Sequence, residues 1–279
     1  MFKLKNLKYF VPNLADSWVI VVFLLIVGSV AGAVAGAVMK LNFISYFFTV
    51  LVPVLWIFWK SKIESRNPAR KERVLEEPHF GHFGKWTFFG LLLLIVPAMA
   101  VVLEPLSAWI PMPDFVKQLF EKAFDTSRPV DLFIAASILA PIFEEFICRG
   151  TICRGLLAYK SPAKAILWSA FIFAVIHANP WQAIPAFVIG CLLGWVYYRT
   201  HSLLACVFIH FANNTFAQLM GVALGDPAAD ATLMDYLSTP IYIALLALCA
   251  AVVVGVIFLL NKNLDRYDET LSTEIHPEA

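Results

Sequence analysis

Three apolar stretches of this chain carry residues able to do chemistry: Glu144-Glu145-Phe-Ile-Cys-Arg149, Phe173-Ala-Val-Ile-His177 and His210-Phe-Ala-Asn-Asn214. Carboxylates and imidazoles move protons or bind ions, and an amide supplies hydrogen bonds. The chemistry open to such a set is catalysis, proton or ion transfer, or substrate binding. A charge at the centre of a membrane helix costs roughly 3 kcal/mol. Glu144, Glu145 and Arg149 unpaired would therefore cost on the order of 10 kcal/mol, comparable with the whole stability of a domain. A cluster that expensive implies work.

Helical spacing orders these residues locally. Glu145 and Arg149 stand at i, i+4 with the acid first, the order that suits an intrahelical ion pair. Glu144 is rotated about 100° from Glu145. Glu145 is thus read as neutralised by Arg149, with Glu144 left to face other helices. His210 and Asn214, also i, i+4, share one face. Pro141, one turn before Glu144, removes a backbone hydrogen bond to Ser137 and can kink the helix. Asn179-Pro180 should end the helix that carries His177.

The elements that must position these groups follow from composition. The chain has 279 residues, 60% hydrophobic and 15% charged, with mean hydropathy +0.76. Soluble domains carry charge on about a quarter of their residues, and the apolar residues here fall in runs of membrane-spanning length. The fold class expected is all-α, a polytopic membrane bundle of about eight helices, near 17–39, 43–59, 86–103, 131–158, 162–178, 183–198, 202–221 and 238–260. The second reads as short. The lysines at 3, 5 and 8 precede a run too long for a cleaved signal, so a retained signal-anchor is expected.

With the N-terminus inside, the inner segments hold 17 Lys/Arg and the outer ones 4. That asymmetry supports eight spans with both termini cytoplasmic, in the plasma or inner membrane. Net charge is +1, so bulk charge implies no nucleic-acid partner.

Three regions are expected. Residues 1–130 form a three-span region with a basic loop at 60–85 and an interfacial helix near 115–124. Residues 131–221 form a four-helix core carrying the motifs. Residues 222–279 hold the last span and a polar, disordered tail. His79 and His82 could bind metal, but a solvated loop is the simpler reading. Gly225-Asp226 reads as a turn. The five cysteines include no C-x-x-C pair and read as small core hydrophobes. No internal repeat is evident.

The fourth and fifth spans form a hairpin with its turn near Tyr159–Pro162. Glu144 and His177 each lie about 16 residues from that turn, so an antiparallel pair places them level, roughly 24 Å away. If this hairpin projects about 10 Å into the cytoplasm, His210 and Asn214 share that depth.

The ordered set E-E-x-x-x-R, F-x-x-x-H and H-x-x-x-N resembles the CAAX-protease and bacteriocin-processing (CPBP) family. These are intramembrane peptidases that include the type II CAAX prenyl endopeptidases. The resemblance covers residues 130–220. It implies that Glu144, His177, His210 and Asn214 are catalytic, that Glu145 and Arg149 are a supporting ion pair, and that Phe173 packs beside the site. It also implies an endopeptidase acting on a membrane-associated, lipidated or prenylated protein or peptide in the bilayer. In one mechanism Glu144 and His177 activate water while His210 and Asn214 stabilise the oxyanion, with no cofactor. In the other, Glu144, His177 and His210 bind Zn2+. The residue types suit zinc, but no H-E-x-x-H occurs, and the metal-free version is preferred. The rival classes are a proton-coupled transporter, which the missing repeats disfavour, and a non-catalytic membrane partner.

Overall fold

The computed structural model describes residues 8–66, 78–123, 128–223 and 232–264. Nine helical elements, α1–α9, account for most of these residues, and no strand is present among them. They are α1 (Leu14–Met39), α2 (Asn42–Glu64), α3 (Gly84–Ala108), α4 (Asp114–Ala123), α5 (129–156), α6 (Pro162–Val175), α7 (Pro180–Thr200), α8 (Leu203–Ala223) and α9 (Thr239–Asn263).

The chain is a multi-pass helical membrane protein. Six helices (α1, α2, α3, α7, α8 and α9) are long and apolar enough to cross a bilayer. The other two expected spans are present but depart from that standard. α5 is long enough but carries Asp131, Glu144, Glu145, Arg149 and Arg154. α6 has only 14 residues. The short rod is therefore the fifth and not the second. α2 runs 23 residues because Lys60–Glu64 continue the helix past the apolar run. A helix, α4, is present where one is expected near 115–124. Gly225-Asp226 and the tail after 264 lie outside the described residues, as do residues 67–77 of the 60–85 loop.

Helix ends follow local chemistry. Asn13 and Asp16 form a reciprocal capping box that starts α1. Asp131 of α5 accepts the backbone N–H groups of Asn42 and Phe43, each at 2.9 Å, and so caps α2 from outside. α6 ends at Val175, as Asn179-Pro180 predicts, and the chain reverses through Ala178 at φ 55°. Asn179 then caps α7 by accepting the N–H of Gln182.

α1 and α2 approach closely. A Cβ on Gly32 would stand 2.0 Å from the Thr49 hydroxyl and 2.6 Å from the Ser45 carbonyl. Ser45 uses that proximity to donate to the Gly32 carbonyl at 2.9 Å. Small residues bring membrane helices together in this way, where packing replaces the hydrophobic effect. The contact fixes α2, and with it Tyr46.

Two apolar clusters flank the motifs. One joins Ile20, Ile57, Phe146, Ile147, Ile152 and Phe173, linking α1 and α2 to α5 and α6. The other joins Phe88, Leu92, Ile95, Leu193, Val196 and Ile209, linking α3 to α7 and α8. Both reach α5, through Ile152 and Cys153 respectively. All five cysteines are free, and Cys148, Cys153 and Cys206 are buried.

Candidate active site

α5 alternates between ordinary and widened turns. Residues Phe133–Leu139 and Cys148–Cys153 are π-helical, and the α-helical segment Ala140–Ile147 between them carries both glutamates. Widened turns of this kind recur at functional sites because they re-aim side chains. The first also changes the effect of Pro141. In an α-helix Pro141 would orphan the Ser137 carbonyl. Here Ala140 N–H reaches Ala135, five residues back, so the same register leaves Ala136 facing the proline nitrogen, which has no hydrogen. Asn214 fills that gap: its Nδ2 donates to the Ala136 carbonyl at 2.7 Å. An unsatisfied carbonyl inside a bilayer is costly, so the proline and the asparagine belong together.

The expected Glu145–Arg149 pair is present and fully buried. Arg149 Nη1 lies 3.0 Å from Glu145 Oε1, and Nη2 donates to the Gly190 carbonyl at 3.0 Å. The guanidinium also stacks 4.4 Å from the centre of the Phe173 ring. Gly190 eases this close crossing, since a Cβ there would lie 3.1 Å from Ala170 and 3.3 Å from Arg149.

His210 joins the same carboxylate, with Nδ1 lying 2.9 Å from Glu145 Oε1. Glu145 thus orients an imidazole as well as meeting a cation. With Nδ1–H directed at the carboxylate, Nε2 is left for other work. His177 Nδ1 meets the Phe173 carbonyl at 2.7 Å. A carbonyl only accepts, so Nδ1 carries the proton and the neutral ring keeps its lone pair on Nε2. Neither Nε2 makes a hydrogen bond among the described residues.

Phe173 sits between the two imidazoles. Its ring meets His177 at 5.0 Å and His210 at 5.4 Å, both edge-on.

Glu144 does face another helix. Its Oε1 accepts the Tyr46 hydroxyl of α2 at 2.7 Å, and its Oε2 is buried without a partner. Its level against His177 differs from the hairpin estimate. Ser169 Oγ donates to the Cys148 carbonyl at 3.0 Å and sets the register of α5 on α6. Counting back along α5 and forward along α6 from that pair brings Phe173 level with Glu144. His177 falls about one turn further on. α5 stops at Leu156 and α6 starts at Pro162, so Glu144 lies 12 residues before its end of the hairpin, at Leu156, and His177 lies 15 after the other, at Pro162. Side chains lean toward the helix N-terminus, which carries the Glu144 carboxyl toward the His177 level.

Residues that the motif reading did not single out complete the site. Tyr46 bonds Glu144. Asn179 Nδ2 donates to the His177 carbonyl at 2.8 Å and holds the turn beyond α6. Asn213 Nδ2 donates to Asn214 Oδ1 at 3.2 Å, fixing which way that amide faces. Asn213 and Asn179 were visible as buried-type polar residues beside the motifs. Tyr46 carried no sequence signal.

Glu144, His177 and His210 are of the right donor types for zinc. Among the described residues, however, no three His, Cys, Asp or Glu side chains form a metal-ligand group. The set does not fit as placed, and no step is routed through an ion.

Comparison with known proteins falls on this part of the chain. Residues 126–216 match the family model Rce1-like, described as type II CAAX prenyl endopeptidase Rce1-like. The resemblance carried by the three motifs is therefore found independently. The Bacillus subtilis (strain 168) protein named "Putative membrane peptidase YdiL" is 32% identical over 89 residues. That match covers 32% of this chain, and the chain spans 36% of the relative's length. No solved structure matches.

Proposed function

We propose that the protein is an intramembrane endopeptidase in which α5–α8 (the 131–221 core) carry the chemistry. The observation that carries this reading is the shared seat of the two imidazoles on Phe173, with the Glu145 carboxylate bound to His210 and Glu144 on the adjoining face of the same helix turn. The Rce1-like match over the same residues adds to it.

Glu144 Oε2 and His177 Nε2 are proton acceptors without a hydrogen-bond partner among the described residues. They take the proton of a water whose oxygen attacks the scissile peptide carbonyl. The carbonyl π electrons move onto oxygen, and the oxyanion accepts hydrogen bonds from His210 and from the second N–H of Asn214 Nδ2. His210 donates from Nε2, with Nδ1 turned to the Glu145 carboxylate that Arg149 also meets. Collapse of the tetrahedral intermediate breaks the C–N bond, and the proton held by the acid–base pair passes to the leaving amine. The substrate is a peptide or protein segment presented from the bilayer, with a lipidated or prenylated protein as the specific class. The 17 to 4 distribution of Lys/Arg favours cytoplasmic termini in the plasma or inner membrane.

The test is Glu144→Gln in purified protein reconstituted with a library of membrane-anchored peptides. Cleavage falls by at least about 10²-fold while the thermal unfolding midpoint holds. Wild-type cleavage by this variant would end the proposal.

A further inference from the structure

We propose that Tyr46, supplied by α2, is a positioning residue for Glu144. The inference rests on the peptidase reading above and deepens it. Tyr46 lies about 80 residues before the start of the Rce1-like segment, so α2 contributes to a site otherwise built on α5–α8.

The geometry is specific. The Tyr46 hydroxyl donates to Glu144 Oε1 at 2.7 Å, and both side chains are half-buried. Nothing else described bonds Glu144. The carboxylate is otherwise held only by its own helix, and a Glu side chain has three rotatable bonds. With Oε1 held by the phenol, Oε2 is the oxygen left without a partner. Tyr46 is itself held on several sides. Asp131 caps the first turn of α2. Ser45, next in sequence, bonds α1. Phe47, on its other side, packs edge-on against Phe143 at 5.9 Å, and Phe143 directly precedes Glu144. The phenol is thus referenced to the same helix turn that bears the carboxylate.

Such a residue acts on geometry at the reacting centre and not on substrate contact. Small displacements of a catalytic group cost about 10²-fold in rate. Tyr46→Phe keeps the ring and removes only the donor. The expected result is a fall in kcat of roughly 10- to 100-fold with KM unchanged, in a protein that still unfolds cooperatively.

The experiment measures kcat, KM and thermal unfolding for wild type, Tyr46→Phe, Glu144→Gln and the double variant, on one reconstituted peptide substrate. If the double variant is no slower than Glu144→Gln alone, Tyr46 works through Glu144. If Glu144→Gln is inactive and Tyr46→Phe retains full kcat, the positioning role is overturned and the peptidase reading stands. If Glu144→Gln cleaves normally, both fall. A change confined to KM in Tyr46→Phe would place the phenol on the substrate and overturn positioning.

Discussion

His210 Nδ1 and Arg149 Nη1 converge on a single oxygen, Glu145 Oε1, at 2.9 and 3.0 Å. Glu145 therefore has two tasks: it meets a buried cation, and it aims an imidazole from a helix 65 positions along the chain.

The first task makes the pair fragile. Arg149→Met leaves a buried carboxylate without its cation, and breaking a buried pair costs about 3–5 kcal/mol. Thermal or denaturant unfolding in detergent should show that loss. Adding Glu145→Gln should recover part of it, because no charge is then stranded. An Arg149→Met protein as stable as wild type would contradict this account of the core.

Asn214 divides its amide between the Ala136 carbonyl and the proposed oxyanion. Asn214→Ala should lower kcat by about 10²- to 10³-fold, the effect of losing one oxyanion donor. Pro141→Ala offers an independent handle. It gives Ala136 a backbone donor and so competes with Asn214, and a drop of about 10-fold in kcat is expected with normal insertion. Steady-state kinetics on a fluorogenic membrane peptide would decide. Unchanged kcat in both variants would remove Asn214 from the mechanism.

Asn179 also serves twice, and the two roles separate chemically. Its Oδ1 caps α7 and its Nδ2 holds the His177 carbonyl. Asn179→Ala should cost about 1 kcal/mol of stability through the lost cap. Asn179→Asp keeps the capping oxygen but loses the donor. It should hold stability and still cleave about 10-fold more slowly. Equal rates for wild type and the Asp variant would show that His177 does not depend on that hydrogen bond.

What the sequence made readable were relations carried within one helix or one turn. The Glu145–Arg149 pair follows from a spacing of four. The end of α6 follows from Asn179-Pro180, and the rods follow from apolar runs. The sequence also placed Glu144 off the face of Glu145, and the structure agrees. The missed relations are of another kind. The short rod was assigned to the second span because hydropathy marks where the bilayer core ends, not where the helix ends. A turn centred on Tyr159–Pro162 sets Glu144 and His177 level, whereas α5 already stops at Leu156 and shifts the register of the hairpin.

The sequence by itself determined a helical membrane bundle, the three polar motifs and the Glu145–Arg149 pair, because apolar runs and helical spacing alone fix those. Tertiary structure decided the partners: Glu145 with His210, Glu144 with Tyr46, and Asn214 with the carbonyl that Pro141 leaves open. Those contacts span 65, 98 and 78 positions. They depend on how rods tilt and how close glycine and serine let them come, which helical spacing does not encode.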